Sequence, residues 1–94
     1  TISGYTARGI SNLKPKCPIF ATCTSGEVAR SLALNYGVIT AVVPEVNSTD
    51  EVMKIAHDKA VGVFKLNKGD KILITGGTAL RGKRITNFMK IEEI

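Results

Sequence analysis

Thr1-Ile2-Ser3-Gly4-Tyr5-Thr6 sets three hydroxyls and a glycine beside what the following pattern marks as the start of a helix. Residues of these types at such a place can hold a phosphate. The first backbone N–H groups of a helix have no intrahelical acceptor, and the helix dipole favours negative charge there. Thr1, Ser3 and Thr6 can add hydroxyl donors to the N–H groups of Gly4, Tyr5 and Thr6. The competing account is an ordinary cap, with the Ser3 side chain accepting from the Thr6 N–H. A second cluster, Arg81-Gly82-Lys83-Arg84, brings three cations together beside a glycine. It reads either as a solvated loop or as a grip for one or two phosphates, being too local to track a nucleic-acid groove.

The chain carries a control for the first cluster. Ser3-Gly4-Tyr5-Thr6-Ala7-Arg8 recurs as Ser25-Gly26-Glu27-Val28-Ala29-Arg30, so two turns into helices share the frame S-G-x-x-A-R. In the second copy Glu27 supplies the negative charge that the dipole favours and would repel a bound anion, while Val28 replaces the hydroxyl of Thr6. The second copy therefore reads as a plain cap, and the first differs from it in the direction that anion binding requires.

The elements that must position these residues follow from periodicity. Apolar Ala7, Ile10 and Leu13 predict a short helix over 5–13, ended by Pro15, which disfavours helical backbone at Lys14. Residues 18–23 form a nearly continuous apolar run, as in a strand covered on both faces. A helix is predicted over 26–35 with Gly37 as its breaker, then a β-branched strand over 38–43 closed by Pro44. Strand, helix, strand is the right-handed crossover of a parallel sheet. Ser48 and Glu51 form a capping box at the start of the longest helix. Its expected buried stripe is Val52, Ile55, Ala56, Lys59, Ala60, Val63 and Phe64, which leaves His57 on the polar side as a solvated histidine. The turn Lys68-Gly69-Asp70 leads into a core strand ending at Gly76-Gly77. Residues 86–94 read as an edge strand, either protected by Lys90, Glu92 and Glu93 or paired with a partner subunit.

Ninety-four residues, 44% hydrophobic and 22% charged with slightly positive mean hydropathy, fit one ordered domain rather than a disordered tail. No apolar run has the length of a membrane span and no secretory pattern is present, so the expectation is a cytoplasmic protein with no membrane partner. Cys17 and Cys23 fall on one expected strand about 20 Å apart, beyond disulfide reach, and read as buried thiols rather than a metal pair. The net charge of +5 permits nucleic acid, but aromatic and zinc-finger signals are lacking, so no nucleic-acid partner is expected. No carboxylate pair, nucleophile or metal cluster marks a catalytic site. The opening residue is Thr and no strand precedes the first turn, so the chain reads as an N-terminally truncated piece of something longer.

Taken in order, several stretches closely resemble the C-terminal domain of pyruvate kinases of bacterial type. They are TISGYTAR at the start, Lys14-Pro15-Lys16-Cys17-Pro18-Ile19, Arg30-Ser31-Leu32-Ala33-Leu34 with Tyr36-Gly37-Val38, and Asn47-Ser48-Thr49-Asp50-Glu51. Lys68-Gly69-Asp70 with Ile74-Thr75-Gly76-Gly77 and Thr86-Asn87-Phe88-Met89-Lys90 complete the set. The resemblance covers essentially residues 1–94. It implies a three-layer α/β/α domain with a mixed, mostly parallel sheet whose last strand is antiparallel, here lacking the family's first, central strand, which would lie between the strands at Ile19 and Ile72. The 94 residues alone are then expected to be marginally stable.

The resemblance further implies a regulatory domain that binds a phosphorylated effector and contributes to a tetramer through its last strand and helices. Catalysis, the transfer of a phosphoryl group from phosphoenolpyruvate to ADP with Mg2+ and K+, falls to other domains of the same polypeptide, so no cofactor or metal is expected in this one. The family's phosphate loop falls on Thr1, Ser3, Gly4, Tyr5 and Thr6. Its effector-closing loop falls on residues 77–85, where Arg81, Gly82, Lys83 and Arg84 stand. Fructose-bisphosphate-regulated animal enzymes have an arginine about where Val52 stands and an upstream tryptophan absent here, so AMP or a hexose monophosphate is the expected effector. The alternative is a free-standing phosphometabolite-binding module of the same fold.

Overall fold

A computed structural model of the chain describes residues 1, 4–45, 48–77, 86 and 88–94. Among the described residues three helices and four strands occur, alternating up to the third strand, after which the fourth strand comes next. They form two compact units, Thr1–Glu45 and Val46–Ile94.

The first unit runs α1 (Tyr5–Asn12), β1 (Ile19–Cys23), α2 (Gly26–Leu32) and β2 (Val38–Val42). β1 and β2 pair in parallel, with Ile19 opposite Val38 and Cys23 opposite Val42, which is the pairing expected of a strand–helix–strand unit. α1 ends at Asn12; the N–H groups of Leu13 and Lys14 bond back to Ile10 and Ser11, and Lys14 takes a left-handed backbone, φ 49°, ahead of Pro15. α2 is shorter than expected. It stops at Leu32 because Asn35 turns back on it: its backbone N–H bonds the Leu32 carbonyl, and its side-chain amide lies 3.4 Å from the carbonyls of Ser31 and Leu32. Gly37, at φ 69°, then turns the chain into β2.

The core of this unit is small: Ala7 of α1, Ala21 and Cys23 of β1, and Ala29 and Leu32 of α2, with Val28 and Val38 packed against them. Ser11 is buried too, and its hydroxyl donates to the Tyr36 carbonyl at 2.7 Å, fastening α1 to the turn before β2. The cysteines divide. Cys23 is fully buried, and burial pushes its thiol pKa up. Cys17, expected to be buried on the strand, instead precedes β1 in a bend between Lys16 and Pro18 and is exposed. Proline lacks the N–H that a strand ladder needs, so the strand begins one residue after it.

The second unit holds α3 (Thr49–Phe64), β3 (Lys71–Gly76) and β4 (Phe88–Glu93). Ser48 caps α3 as the sequence predicts, accepting from the Glu51 N–H at 3.4 Å. The helix closes at Lys65, left-handed at φ 51°, with the Leu66 N–H returning to the Val61 carbonyl. β3 and β4 pair antiparallel, Lys71 opposite Glu93 and Gly76 opposite Phe88, so the last strand has the expected direction. Gly76 lies close under the Phe88 ring, so that a Cβ there would come 3.0 Å from it. The Thr75 hydroxyl donates to the Phe88 carbonyl, one position along the ladder from its own partner Met89.

The buried stripe of α3 differs from the expected one. Ile55, Ala56, Ala60 and Phe64 are covered as expected, but Val52, Lys59 and Val63 are exposed, and Met53, His57 and Val61 are covered in their place. The covered side overlaps the expected stripe and is turned only part of the way around the helix from it. The helix is apolar on more than one side, and periodicity alone could not choose between them.

Candidate functional site

At the start of α1 the capping residue is Gly4, in a left-handed conformation at φ 84°, which has no side chain of its own to cap the helix. Ser3, the cap considered from sequence, lies outside the described residues. Glycine at position 4 is demanded twice. Its positive φ excludes most side chains, and a Cβ there would sit 2.9 Å from Cδ2 of the buried Leu32 and 3.3 Å from Cζ of Arg8. The turn is therefore pressed directly against the end of α2.

The Gly4 N–H donates to the Thr1 hydroxyl oxygen at 2.9 Å. This corrects the expectation that this N–H is an unpaired donor: Thr1 folds back over the turn and satisfies it. The same Thr1 hydroxyl keeps its own hydrogen as a donor, because a hydroxyl can accept and donate together. The backbone nitrogen of Thr1 also bonds the Thr22 carbonyl of β1, which ties the turn to the strand. Tyr5, the first helical residue, is exposed and Thr6 is half-buried. Structure thus brings Thr1, Gly4, Tyr5 and Thr6 together around one helix start whose first turn contains no acidic residue.

Arg8 was not among the residues singled out from sequence. Its guanidinium lies over Gly4 and donates from Nη2 to the Ser31 hydroxyl at 2.8 Å, which brings a permanent positive charge to the first turn of α1. The signal was present in the repeated Ala-Arg of the two frames. Arg30, its counterpart, lies in the last turn of α2 and has Nη1 3.3 Å from the Cβ position of Gly26.

The second frame is built otherwise. Ser25 is the cap, with extended backbone, and its hydroxyl oxygen accepts from the N–H groups of Glu27 at 3.2 Å and Val28 at 3.5 Å. Glu27 occupies the first turn, as Asp50 and Glu51 do in α3. Both of those helix starts carry their own anion.

Arg81, Gly82, Lys83 and Arg84 lie outside the described residues. What is described is the pair of strands that delivers them, β3 up to Gly76 and β4 from Phe88. Among the described residues no group of three or more His, Cys, Asp or Glu side chains is arranged to hold a metal ion. No helix among them is long and apolar enough to cross a membrane.

His57 departs from its expected place. It is half-buried on the covered side of α3, with Nδ1 3.2 Å from the Asp58 carboxylate and Nε2 3.7 Å from that of Glu92 on β4. Its position amid Met53, Ala56, Ala60 and Phe64 was the sequence signal for this.

Residues 1–92 match the family described as the alpha/beta domain of pyruvate kinase. Across its whole length the chain is 39% identical to a pyruvate kinase of Geobacillus stearothermophilus and 41% identical to one of Clostridium perfringens. It spans 16% and 20% of the length of those two relatives. Its structure is similar to the crystal structure of a pyruvate kinase from Cryptosporidium parvum, with a TM-score of 0.82 at 31% identity over 99% of this chain and 18% of that one.

Proposed function

Because this chain belongs to the family of pyruvate kinase alpha/beta domains, we propose that it is the regulatory region of such an enzyme. Its effector is a phosphorylated small molecule, AMP or a hexose monophosphate. The phosphate is received at the start of α1, by Thr1, Ser3, Gly4, Tyr5 and Thr6, and is closed on by Arg81, Gly82, Lys83 and Arg84. Phosphoryl transfer from phosphoenolpyruvate to ADP, with its Mg2+ and K+, belongs to the catalytic domains of the same polypeptide. The last strand and the helices contribute to a cytoplasmic tetramer.

The observation that carries this reading is the contrast between helix starts. α2 and α3 each have a serine at the cap position and an acidic first turn, whereas α1 has glycine at the cap position, no acidic residue in its first turn and the Arg8 guanidinium above that glycine. A helix start of that kind favours an incoming anion through its dipole, its N–H groups and a cation held nearby.

Calorimetric titration of the intact protein with AMP, glucose 6-phosphate and fructose 1,6-bisphosphate tests the proposal. A monophosphate is expected to bind, and Arg81→Ala combined with Lys83→Ala to weaken it at least about tenfold, since each charge-assisted bond contributes about 1.5–3 kcal/mol. Equal binding by the variant, or no binding by any of the three, contradicts it.

A further inference from the structure

The charged contacts between α3 and β4 use none of the residues proposed to hold the phosphate. His57 projects from the covered face of α3 between two carboxylates: that of Asp58, its neighbour in the helix, at 3.2 Å from Nδ1, and that of Glu92 on β4, at 3.7 Å from Nε2. Glu92 is itself only 24% exposed, and its other oxygen lies 3.0 Å from the Lys90 ammonium on the same strand. Asp50, Met53 and Lys54 of α3 line the same shallow depression, about 240 Å³, with His57, Lys90 and Glu92. β3 brings no charge to this face, because its residues beside Lys90 and Glu92 are Ile74 and Ile72.

The chemistry of an imidazole in this position depends on its proton. Neutral, it has one ring N–H and can donate to one carboxylate; protonated, it has two and bears a charge that attracts both. The 3.2 Å contact with Asp58 is within hydrogen-bond range, and the 3.7 Å approach to Glu92 is a charge contact that gains most from the imidazolium. Around the ring, the carboxylates of Asp50, Asp58 and Glu92 outnumber the ammonium groups of Lys54 and Lys90 by one, and the imidazolium balances them.

We propose that His57 is a proton-operated tie between α3 and β4. Taking a proton from solvent, it clamps Glu92 and steadies the last strand; losing it, the ring loosens its hold on that strand. The tie is separate from effector binding and stands or falls independently of it.

Hydrogen exchange of the intact protein, corrected for intrinsic rates, tests the tie at about pH 6 and about pH 8. Amides of β4 are expected to be about two- to five-fold better protected at the lower pH, the size of a partly exposed ion pair. That gain is expected to vanish in Glu92→Gln and in His57→Gln. Should His57→Gln fail to fold, Glu92→Gln alone decides, since it keeps the shape of the acceptor and removes its charge. No gain in the wild type, or a gain that survives in Glu92→Gln, overturns the proposal.

Discussion

The two S-G-x-x-A-R frames have the same letters and different structures. In the second, Ser25 is the cap and Gly26 is the first residue of the helix; in the first, Gly4 is the cap and the helix starts at Tyr5. The frames are displaced by one residue relative to their helices. The cause lies outside the motif. Gly4 is pressed on Leu32, the largest fully buried side chain of the first unit, and the left-handed turn there is what allows that approach. Gly26 meets only the far end of the Arg30 side chain. A short motif therefore fixes that a helix starts, while packing fixes which residue starts it, and so which N–H groups and charges face a ligand.

Substitutions at the two frames can break this comparison. Leu32→Ala is expected to cost about 2–5 kcal/mol, the usual range for a buried leucine. Gly4→Ala is expected to cost about 2–4 kcal/mol, of which about 1–2 comes from the left-handed backbone and the rest from crowding Leu32. In the Leu32→Ala background the crowding is gone and only the backbone cost remains. The double mutant measured by urea denaturation is therefore expected to be about 1–2 kcal/mol more stable than additivity allows. Additive costs would mean that Gly4 is not held by Leu32.

A smaller effect is expected at the second frame. Ser25→Ala removes the hydroxyl that accepts from Glu27 and Val28 and should cost about 1 kcal/mol. Smallest is Gly26→Ala, expected to lie between neutral and about 1 kcal/mol stabilising, because alanine is the better helix former and the Arg30 terminus can move aside. A cost at Gly26 matching that at Gly4 would erase the distinction between the frames.

Much of the fold was legible where the deciding interaction is local. The Ser48 cap of α3, the Gly37 turn and the end of α1 before Pro15 all follow from residues within a few positions of one another, and the parallel β1–β2 pair follows from the strand–helix–strand order. The antiparallel last strand came from the family resemblance instead. What escaped was set by contacts distant in sequence. The capping role of Gly4 depends on Leu32, and the covered face of α3 depends on which side meets β3 and β4. With that face went the environment of His57. The exposure of Cys17 was a local signal undervalued, since Pro18 beside it delays the strand. At the candidate site, Thr1, Gly4, Tyr5 and Thr6 were read correctly as neighbours of a helix start, but the hydrogen bond from Gly4 to Thr1 and the guanidinium of Arg8 above the turn required coordinates.

The most direct test of the account is an amide NMR titration of the protein with AMP, comparing the two frames in one experiment. The account predicts saturable shifts at Gly4, Tyr5 and Thr6, with Gly26, Glu27 and Val28 unmoved, because only the first frame lacks a resident carboxylate. Equal shifts at both frames, or shifts at neither while AMP binds elsewhere, would contradict it.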